Sequence, residues 1–537
     1  MGPRRNSLCP CGSGKRYKRC HGAIENPHEP HALRNHAVLE REALAALEHQ
    51  RKRQQGLGRP IISVESKGLR YVAVGKRLFY GKWLTFSDFL VHYLKEVMGF
   101  SWGQAELTKS DSARHPTIQW MSVLADQMIT HSSGNIGICT MPETGASRAV
   151  FSLAYDIYLA EHNAKSEVDE ASIRRLLDRL RQESQFYGAR HELRAAGILL
   201  RAGLDISWED ESVGRKGGHG EFIATFPSTG RQFWVECKMR QPENNATQPR
   251  FGKLLSAALR KETSLERIIF IDLNLHRERL NGQGGGWAPW AVNQLRDLEK
   301  QPSATTLPSA IVILSNFTEH KELEDSAELG FVMEGFKTEH CRLGHIIDLW
   351  QAIENRFANP EIENIWKSIQ EHSRIPDSFD GSLLRVDETS RLVIGRRYVL
   401  ENNTTGILEE AVVMEQWQKA VCIFCTADGR HIYECELTDS EWEAWRQHPE
   451  TFFGVVRKQG GVVKDGLDAF NFFYECYEGL TREQLLEHVR SHPDFSHLET
   501  LSQADLAKQA AYRMALSASG QTESPPVPEW HNRLRPA

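Results

Sequence analysis

The sequence contains no apolar run long enough to cross a membrane and no excess of positive charge. Lysine and arginine number 65 against 71 aspartate and glutamate residues, and the formal net charge is −6. A nucleic-acid partner would therefore have to bind a local basic surface, because the chain as a whole does not attract polyanions. A phosphate-binding loop of the form G-x-x-x-x-G-K-[ST] is also missing, which argues against an ATP-driven motor.

Cysteine is sparse, with 10 residues in 537, far below the content of a disulfide scaffold. The first seven residues lead into a cysteine-rich loop and not into the apolar stretch of a signal peptide. We therefore expect a cytoplasmic protein without membrane partners. In that reducing compartment, cysteines serve as metal ligands, core residues or free thiols before they form disulfides.

Four metal-ligand side chains stand close together near the N-terminus: Cys9, Cys11, Cys20 and His21. Two thiolates one residue apart can hold a metal from a tight turn, and the Cys-His pair completes a tetrahedral set of the kind that Zn²⁺ prefers. The segment has almost no apolar content, so metal ligation would have to provide its folding free energy. The pattern predicts a small structural zinc site.

The string C-P-C-G-S-G-K-R-Y-K-R-C-H-G over residues 9–22 resembles the SEC-C motif, named for the zinc-binding tip of the SecA translocation ATPase. The resemblance covers about residues 6–23. It implies zinc held by Cys9, Cys11, Cys20 and His21. It also implies docking on a protein partner or the ribosome through the basic residues of this zinc knuckle, which are Lys15, Arg16, Lys18 and Arg19.

The stretch 184–274 carries the other candidate chemistry. Its first part predicts a helix over residues 184–202, with an apolar stripe bordered by Glu192. A short strand over 204–208 and two strand-like runs over 221–226 and 231–238 follow. A second helix near 251–262 and a hydrophobic strand over 267–272 complete an α-β-β-β-α-β order.

Strand alternation sorts the side chains of the two strand-like runs. It places Phe233, Val235 and Cys237 on the core face, and it places Glu236 and Lys238 on the opposite one. Glu221 lies on the non-core face of its own strand. We therefore expect Glu221, Glu236 and Lys238 to converge at one hairpin, with Glu192 approaching from the helix.

Three carboxylates around a lysine suit metal-assisted phosphodiester hydrolysis. Carboxylate oxygens are hard ligands for Mg²⁺ or Mn²⁺. Such an ion stabilises charge on the phosphate and lowers the pKa of an attacking water. The lysine can orient that water or stabilise the developing charge.

The order of elements and these residues resemble the PD-(D/E)XK nuclease superfamily. On that resemblance, Glu236 and Lys238 match the E-x-K half of the motif, and Glu221 stands at its acidic position. Glu192 matches the helix glutamate that many members carry. The sequence departs from the pattern because Glu221 replaces the usual aspartate and Gly220 the preceding proline. Asp205 and Asp210 stay open as substitutes for Glu221.

Simpler interpretations exist for two of these features. An E-x-K string often solvates an exposed strand edge. Basic residues after the E-x-K strand either contact phosphates of a nucleic acid or form an ordinary solvated surface; they are Arg240, Arg250, Lys253, Arg260 and Lys261. A second group, Cys422, Cys425, His431 and Cys435, is better explained as buried thiols on a strand than as another metal site.

The fold class that follows is α/β in the wider sense of a multi-domain α+β protein, with a restriction-endonuclease-like core whose mixed central sheet is flanked by helices. The expected segments are a zinc knuckle (1–30), a charged helical connector (31–60), a mostly helical domain (61–170), a nuclease-like domain (171–330), a helical segment (331–384), a smaller C-terminal α/β domain (385–505) and a largely disordered tail (506–537).

The leading functional hypothesis is a metal-dependent nuclease, with Mg²⁺ or Mn²⁺ as catalytic ion and DNA favoured as substrate because the superfamily favours it. The zinc knuckle would target it, in a defence or stress role by family analogy. The rival is a non-catalytic adaptor that binds nucleic acid, a ribosome or a chaperone. The sequence carries no signal for an oligomeric state.

Overall fold

A computed structural model describes residues 30–131, 139, 141–209, 219–240, 251–275, 286–325, 329–338, 349–382, 392–400, 404–426, 429–456, 466–490 and 492–518. These residues form helices and three β-sheets, which confirms the prediction of a mixed α and β protein. In the described part of the chain, no helix is both long and apolar enough to cross a membrane.

The helices are α1 Pro30–Gln55, α2 Phe86–Met98, α3 Phe100–Leu107, α4 Pro116–His131, α5 Gly145–Asn163, α6 Glu167–Leu180, α7 Glu183–Arg201, α8 Phe251–Leu259, α9 Trp287–Glu299, α10 Leu349–Ala358, α11 Pro360–Glu371, α12 Asp439–Gln447, α13 Gly466–Tyr477, α14 Arg482–Val489, α15 Phe495–Leu498 and α16 Gln503–Ala518. The strands are β1 Ile62–Ser66, β2 Leu69–Val74, β3 Arg77–Gly81, β4 Asp205–Trp208, β5 Phe222–Thr225, β6 Gln232–Met239, β7 Glu266–Asp272, β8 Ala310–Phe317, β9 Leu329–Phe336, β10 Arg397–Val399, β11 Thr405–Met414, β12 Lys419–Thr426 and β13 Gly429–Glu436.

The chain divides into two compact units. Unit 1 comprises Met1–Arg51 and Gly381–Gln459, and unit 2 comprises Lys52–Asp380 and Gly460–Ala537. The ranges expected as separate segments at 61–170 and 171–330 thus belong to unit 2, together with residues 331–380 of the expected segment 331–384. The expected C-terminal domain at 385–505 is divided between both.

A six-stranded mixed sheet forms the centre of unit 2, in the order β4-β5-β6-β7-β8-β9. Strands β4, β5 and β6 form an antiparallel meander, β6, β7 and β8 are parallel, and β9 is antiparallel to β8. Helix α8 lies between β6 and β7 in sequence, as a parallel pair requires a crossover connection. The expected α-β-β-β-α-β order is therefore present from α7 to β7.

Two hydrophobic cores cover the two faces of this sheet. On one face, Phe233 and Val235 belong to the core that also contains α7 residues such as Leu193. On the other, Ile269 and Ile271 pack with residues of α8 and α9. The first core extends to the helices α2 and α5 and to the sheet β1-β2-β3, so the mostly helical region and the central sheet are stabilised together.

Local sequence explains where the helices of unit 2 begin. Thr85 caps α2 by accepting a hydrogen bond from the Asp88 backbone, and the Asp88 side chain accepts one from the Thr85 backbone in return. Ser166 and Asp169 form the same reciprocal capping box at α6. Each box satisfies backbone N–H groups that have no partner inside the helix.

Unit 1 contains an antiparallel sheet in the order β10-β11-β12-β13, followed by α12. Cys422 of β12 is fully buried in its core, whereas Cys425 is half-buried, as expected for strand residues of opposite parity. A hydrogen bond with Cys435 and burial raise the pKa of the Cys422 thiol. Cys422 is thus a core thiol.

The C-terminal region differs from the sequence expectation up to residue 518. Helix α16 occupies Gln503–Ala518, where the expected disordered tail starts at 506. Leu506, Ala510 and Ala511 are buried, because small and apolar residues at helical spacing let α16 pack closely on its neighbours. Similarly, β9 adds a strand over Leu329–Phe336, where a helical segment was expected from residue 331.

A buried ion cluster holds α7 to the end of β8. Glu319 is fully buried and accepts hydrogen bonds from Arg190 at 2.6 Å and Arg194 at 2.7 Å. Burial raises the pKa of this carboxyl, but the two guanidinium groups outweigh it and hold the pKa well below its usual range. The cluster is stable only while the charges remain matched.

The substitution Glu319→Gln should therefore destabilise the protein strongly, because it leaves two buried guanidinium groups without their carboxylate. We expect the free energy of unfolding to fall by about 3–5 kcal/mol, measured by urea denaturation. The matched control is Glu487→Gln in the exposed pair with Arg490, which should change it by no more than about 0.5 kcal/mol. Equal effects of the two substitutions would contradict this account.

Candidate active site

Glu236 lies in the middle of β6 and is fully buried. Lys238, two residues along the same strand, donates a hydrogen bond to Glu236 Oε1. Lys261, which follows α8, lies 2.6 Å from Oε1 and 2.8 Å from Oε2 of the same carboxylate. A buried carboxylate is thus contacted by two ammonium groups, which offset the cost of its burial.

Alternation along β6 placed these side chains. Phe233, Val235 and Cys237 face the core that contains α7, so Glu236 and Lys238 point to the other face. Attraction to Glu236 outweighs the effect of burial on Lys238, and the pKa of Lys238 lies above its usual value. Lys238 is therefore a cation at neutral pH and not a proton acceptor.

Glu221 lies next to Glu236 across the β5–β6 ladder. Phe222 pairs with Val235, and the Glu221 backbone N–H donates to Val235 O at 3.0 Å. The preceding residue, Gly220, packs against Trp234, and a Cβ there would be 2.4 Å from Trp234 Nε1. Close packing against an aromatic ring explains why this position holds glycine.

Electrostatics shows that Glu221 belongs to the same acidic group. Burial, followed by the charges of Glu192 and Glu236, raises the pKa of Glu221 to about 8, although Lys261 and Lys238 oppose the shift. The side chain is half-buried, so solvent reaches it. Burial and the neighbouring carboxylates thus favour the protonated form of Glu221, which is the acidic residue of the cluster least compensated by cations.

Glu192 lies on α7, and its carboxylate forms a salt bridge with Arg179. Arg179 of α6 donates to both of its carboxylate oxygens, each at 2.7 Å. Such bidentate pairing fixes the side chain and offsets part of its charge. Glu192 therefore shapes the electrostatics of Glu221 while its own oxygens are engaged by Arg179.

A divalent ion can be tested against this donor set. Within the described residues, no group of three or more His, Cys, Asp or Glu is arranged to hold a metal ion. Mg²⁺, however, is often held by one or two carboxylates and several waters. Glu221 and Glu236 are hard oxygen donors of that number, and the raised pKa of Glu221 reflects negative charge that a cation would offset. The pair matches Mg²⁺ in ligand type and number, and an ion would have to displace lysine contacts from Glu236, both of whose oxygens are engaged.

The basic residues predicted to contact nucleic acid differ in their exposure and in the groups they contact. Lys253 and Arg260 are exposed on and after α8. Lys261 instead contacts Glu236, and Arg240 is buried, with its guanidinium 3.4 Å from Asn274 O. Arg250 lies outside the described residues.

Sequence reasoning missed two contacts of the site. Lys261 was assigned to nucleic acid, although the crossover gives a signal: because β6 and β7 are parallel, the chain after α8 returns to the end of the sheet where β6 begins. Arg179 had no such signal, since its pairing with Glu192 depends on how α6 packs on α7. Of the substitutes for Glu221, Asp205 is bound to Lys165 at 2.6 Å, and Asp210 lies outside the described residues.

Replacing Glu221 tests the acidic cluster through the pH dependence of stability. The unfolded chain releases the Glu221 proton near the usual pKa of 4.5, whereas the folded chain retains it to about pH 8. The free energy of unfolding of the wild type therefore falls as pH rises through that window. Glu221→Gln should lack this fall. In guanidinium denaturation, the unfolding free energy of the variant relative to that of the wild type should therefore increase from pH 5 to pH 8.5.

The exposed Glu262→Gln substitution is the matched control for this measurement. It should leave the pH profile of the unfolding free energy parallel to that of the wild type. A parallel profile for Glu221→Gln as well would show that burial and neighbouring charges do not raise the pKa of Glu221.

Comparisons with known proteins identify the N-terminal segment. The SEC-C motif profile matches residues 5–23. The chain is 86% identical over 21 residues to the protein translocase subunit SecA of Hyphomonas neptunium (strain ATCC 15444), a match that covers 4% of this chain and 2% of that protein. No solved structure matches the chain. The predicted ligands Cys9, Cys11, Cys20 and His21 lie outside the described residues, but the presence of a SEC-C motif is confirmed.

Proposed function

We propose that this protein is a metal-dependent nuclease that hydrolyses phosphodiester bonds, with DNA as the favoured substrate. One observation carries the proposal: Glu221, Glu236 and Lys238 are neighbours on a hairpin of the mixed sheet. An acidic pair can hold a metal ion for phosphodiester hydrolysis, and a cationic lysine beside it can stabilise the charge that develops.

The order of elements supports this assignment. Helix α7, the meander β4-β5-β6, helix α8 and the parallel strand β7 follow the order of the PD-(D/E)XK superfamily core. Glu221 immediately precedes β5, and Glu236 and Lys238 stand on β6, which agrees with the placement that the resemblance implies. We infer a restriction-endonuclease-like core from this agreement of order and residue placement.

Glu221 and Glu236 would hold the Mg²⁺ or Mn²⁺ ion. When bound, such an ion supplies Lewis acidity and lowers the pKa of a coordinated water. The remaining work falls to the residues of this chain. Lys238 is cationic and partly exposed, so it is placed to stabilise negative charge on a phosphate.

Lys261 and Arg179 position the acidic residues. Lys261 contacts both oxygens of Glu236 and also donates to His219 O at 2.7 Å, so it ties the carboxylate to the segment before Glu221. Arg179 holds Glu192 through both of its oxygens. These contacts fix the orientation of two carboxylates before any ligand arrives.

The remaining partners are part of the same proposal. The exposed Lys253 and Arg260 would contact the phosphates of a nucleic acid, a contact that fixes position but not sequence. The zinc knuckle would direct the nuclease to a protein or ribosome partner. A cytoplasmic role in defence or stress follows by analogy with the superfamily.

The cleavage prediction uses single- and double-stranded DNA and RNA with Mg²⁺ or Mn²⁺. The wild type should cut at least one of these substrates, and Glu236→Gln and Lys238→Ala should each lower the rate by at least about 100-fold, since both act on the charge of the transition state. The controls Glu262→Gln and Lys300→Ala, at exposed positions, should cut like the wild type. Metal-independent cleavage, equal rates in all variants or no cleavage of any substrate would overturn the proposal.

One observation favours a second function, a non-catalytic adaptor. Both oxygens of Glu192 are engaged by Arg179, and Glu236 is already contacted by two lysines. If these contacts persist with nucleic acid bound, the site neutralises its own acidic residues and only binds. Retention of nucleic-acid binding without cleavage, in wild type and variants alike, is the result that this alternative predicts.

A zinc measurement tests the knuckle separately. We expect about one zinc ion per purified chain by elemental analysis, because Cys9, Cys11, Cys20 and His21 are four side chains of the kind that tetrahedral zinc sites use. Cys20→Ser should lose the ion. Cys425→Ser, at a half-buried strand position, should keep it. Zinc retained by Cys20→Ser would contradict the ligand assignment.

A further inference from the structure

The sheet β1-β2-β3 of unit 2 exposes an apolar face. Its inner face packs into the first core through Val72, Val74 and Phe79. An antiparallel sheet with one solvated face ordinarily carries polar side chains on that face. The solvated face of this sheet, called the outer face below, instead carries aliphatic and aromatic residues: Ile62, Val64, Tyr71, Ala73, Leu78 and Tyr80.

The strand register makes these six residues contiguous. Val64, Tyr71 and Tyr80 lie opposite one another across the three strands, and the other three residues form the neighbouring row. Leu78 is 66% exposed and Tyr80 is 68% exposed. A contiguous apolar patch of this kind on a protein surface marks an interaction site.

Two aromatic rings lie side by side on the outer face. The ring centres of Tyr71 and Tyr80 are 6.2 Å apart, and the ring planes are inclined by 33°. Tyr71 is half-buried, whereas Tyr80 is largely exposed. Exposed aromatic rings can stack on the unpaired bases of a single-stranded nucleic acid, whereas the bases of a duplex are already stacked on one another.

The sheet is basic although the chain as a whole is acidic. Residues 62–82 contain five lysine or arginine residues and one glutamate, in a chain of net charge −6. Three of the five, Arg70, Lys76 and Arg77, form ion pairs with glutamate residues. Lys67 and Lys82 are exposed and form no ion pair with any residue that the structure describes. These two lysines are therefore available to an anionic partner.

Lys67 and Lys82 lie at the same end of the sheet. Lys67 stands in the turn between β1 and β2, and Lys82 follows Gly81, the last residue of β3. The register places Tyr71 and Tyr80 one residue pair before that end of the β2–β3 ladder. A nucleic-acid strand whose bases stack on the two rings would thus have its phosphates near the lysines, and phosphate contacts supply affinity that does not depend on sequence.

We propose that the outer face binds single-stranded nucleic acid, with Tyr71 and Tyr80 stacking on bases and the two lysines contacting phosphates. An apolar surface alone would also suit a protein partner, but the cations at its end favour a polyanion with flat apolar groups. The choice of nucleic acid among such partners rests on the proposed function. The outer face shares no residue with the acidic cluster, so binding here and cleavage there can be tested separately.

Fluorescence anisotropy of the full chain with a labelled thymidine oligonucleotide of about 15 nucleotides tests the proposal, without added Mg²⁺ or Mn²⁺. The single strand should bind at least about five-fold more tightly than a duplex of the same length, and Tyr80→Ala should weaken its binding at least about five-fold, because one stacked base is lost. Tyr80→Phe keeps the ring and should bind like the wild type. The matched control is Trp417→Ala, which removes a 57% exposed aromatic residue of unit 1 and should also bind like the wild type.

The salt dependence of the same binding tests the lysines. Each phosphate contact contributes about −0.7 to the slope of log K against log salt concentration for a single strand. The double variant Lys67→Ala/Lys82→Ala should therefore reduce the magnitude of this slope by about 1.4. Lys300→Ala, at an exposed position, is the control and should leave the slope unchanged.

No binding of the single strand, equally tight binding of the duplex, unchanged affinity in Tyr80→Ala or an unchanged slope in the double variant would each overturn the proposal. Sedimentation of the chain without oligonucleotide covers another occupant: self-association that Tyr80→Ala abolishes would assign the outer face to a second copy and would also overturn it. Thermal unfolding separates loss of binding from loss of fold. Since no catalytic ion is added, an inactive nuclease that binds the single strand as described would contradict only the proposed cleavage.

Discussion

Glu236 is a fully buried carboxylate in the middle of a sheet, and its neighbours are arranged to compensate it. Lys238 reaches it along the strand, and Lys261 reaches it from the end of the crossover helix α8. Such an arrangement needs β7 parallel to β6, since a hairpin connection would not return Lys261 to this end of the sheet. The contact between Lys261 and Glu236 thus depends on the topology of the sheet.

The three carboxylates of the acidic cluster differ in how well nearby cations offset their charge. Glu192 has Arg179 and Glu236 has two lysines, whereas Glu221 is left with a pKa raised to about 8. A divalent ion bound beside Glu221 would offset the negative charge of Glu192 and Glu236 that contributes to raising this pKa.

The periodicity of the sequence predicted secondary structure and the face on which side chains lie. Helix α7, strand β6 and the opposite orientations of Glu236 and Cys237 follow from spacings of 3.6 and 2 residues, and the SEC-C string follows from ligand spacing. Contacts between residues that are distant in sequence could not be predicted in this way. Arg179 meets Glu192 through the packing of α6 on α7, for which the local pattern carries no signal, whereas the position of Lys261 depends on the crossover between β6 and β7. Helix α16 was missed because an alanine-rich stretch beside a polar tail offers few large apolar side chains, although its small residues pack well.

Crystals soaked in Mn²⁺ and measured for anomalous scattering provide the most direct test of the acidic cluster. The account predicts a peak coordinated by Glu221 and Glu236, with Glu192 still bound to Arg179. No peak at this position, with Lys238 and Lys261 unmoved on Glu236, would contradict the metal site and with it the nuclease assignment.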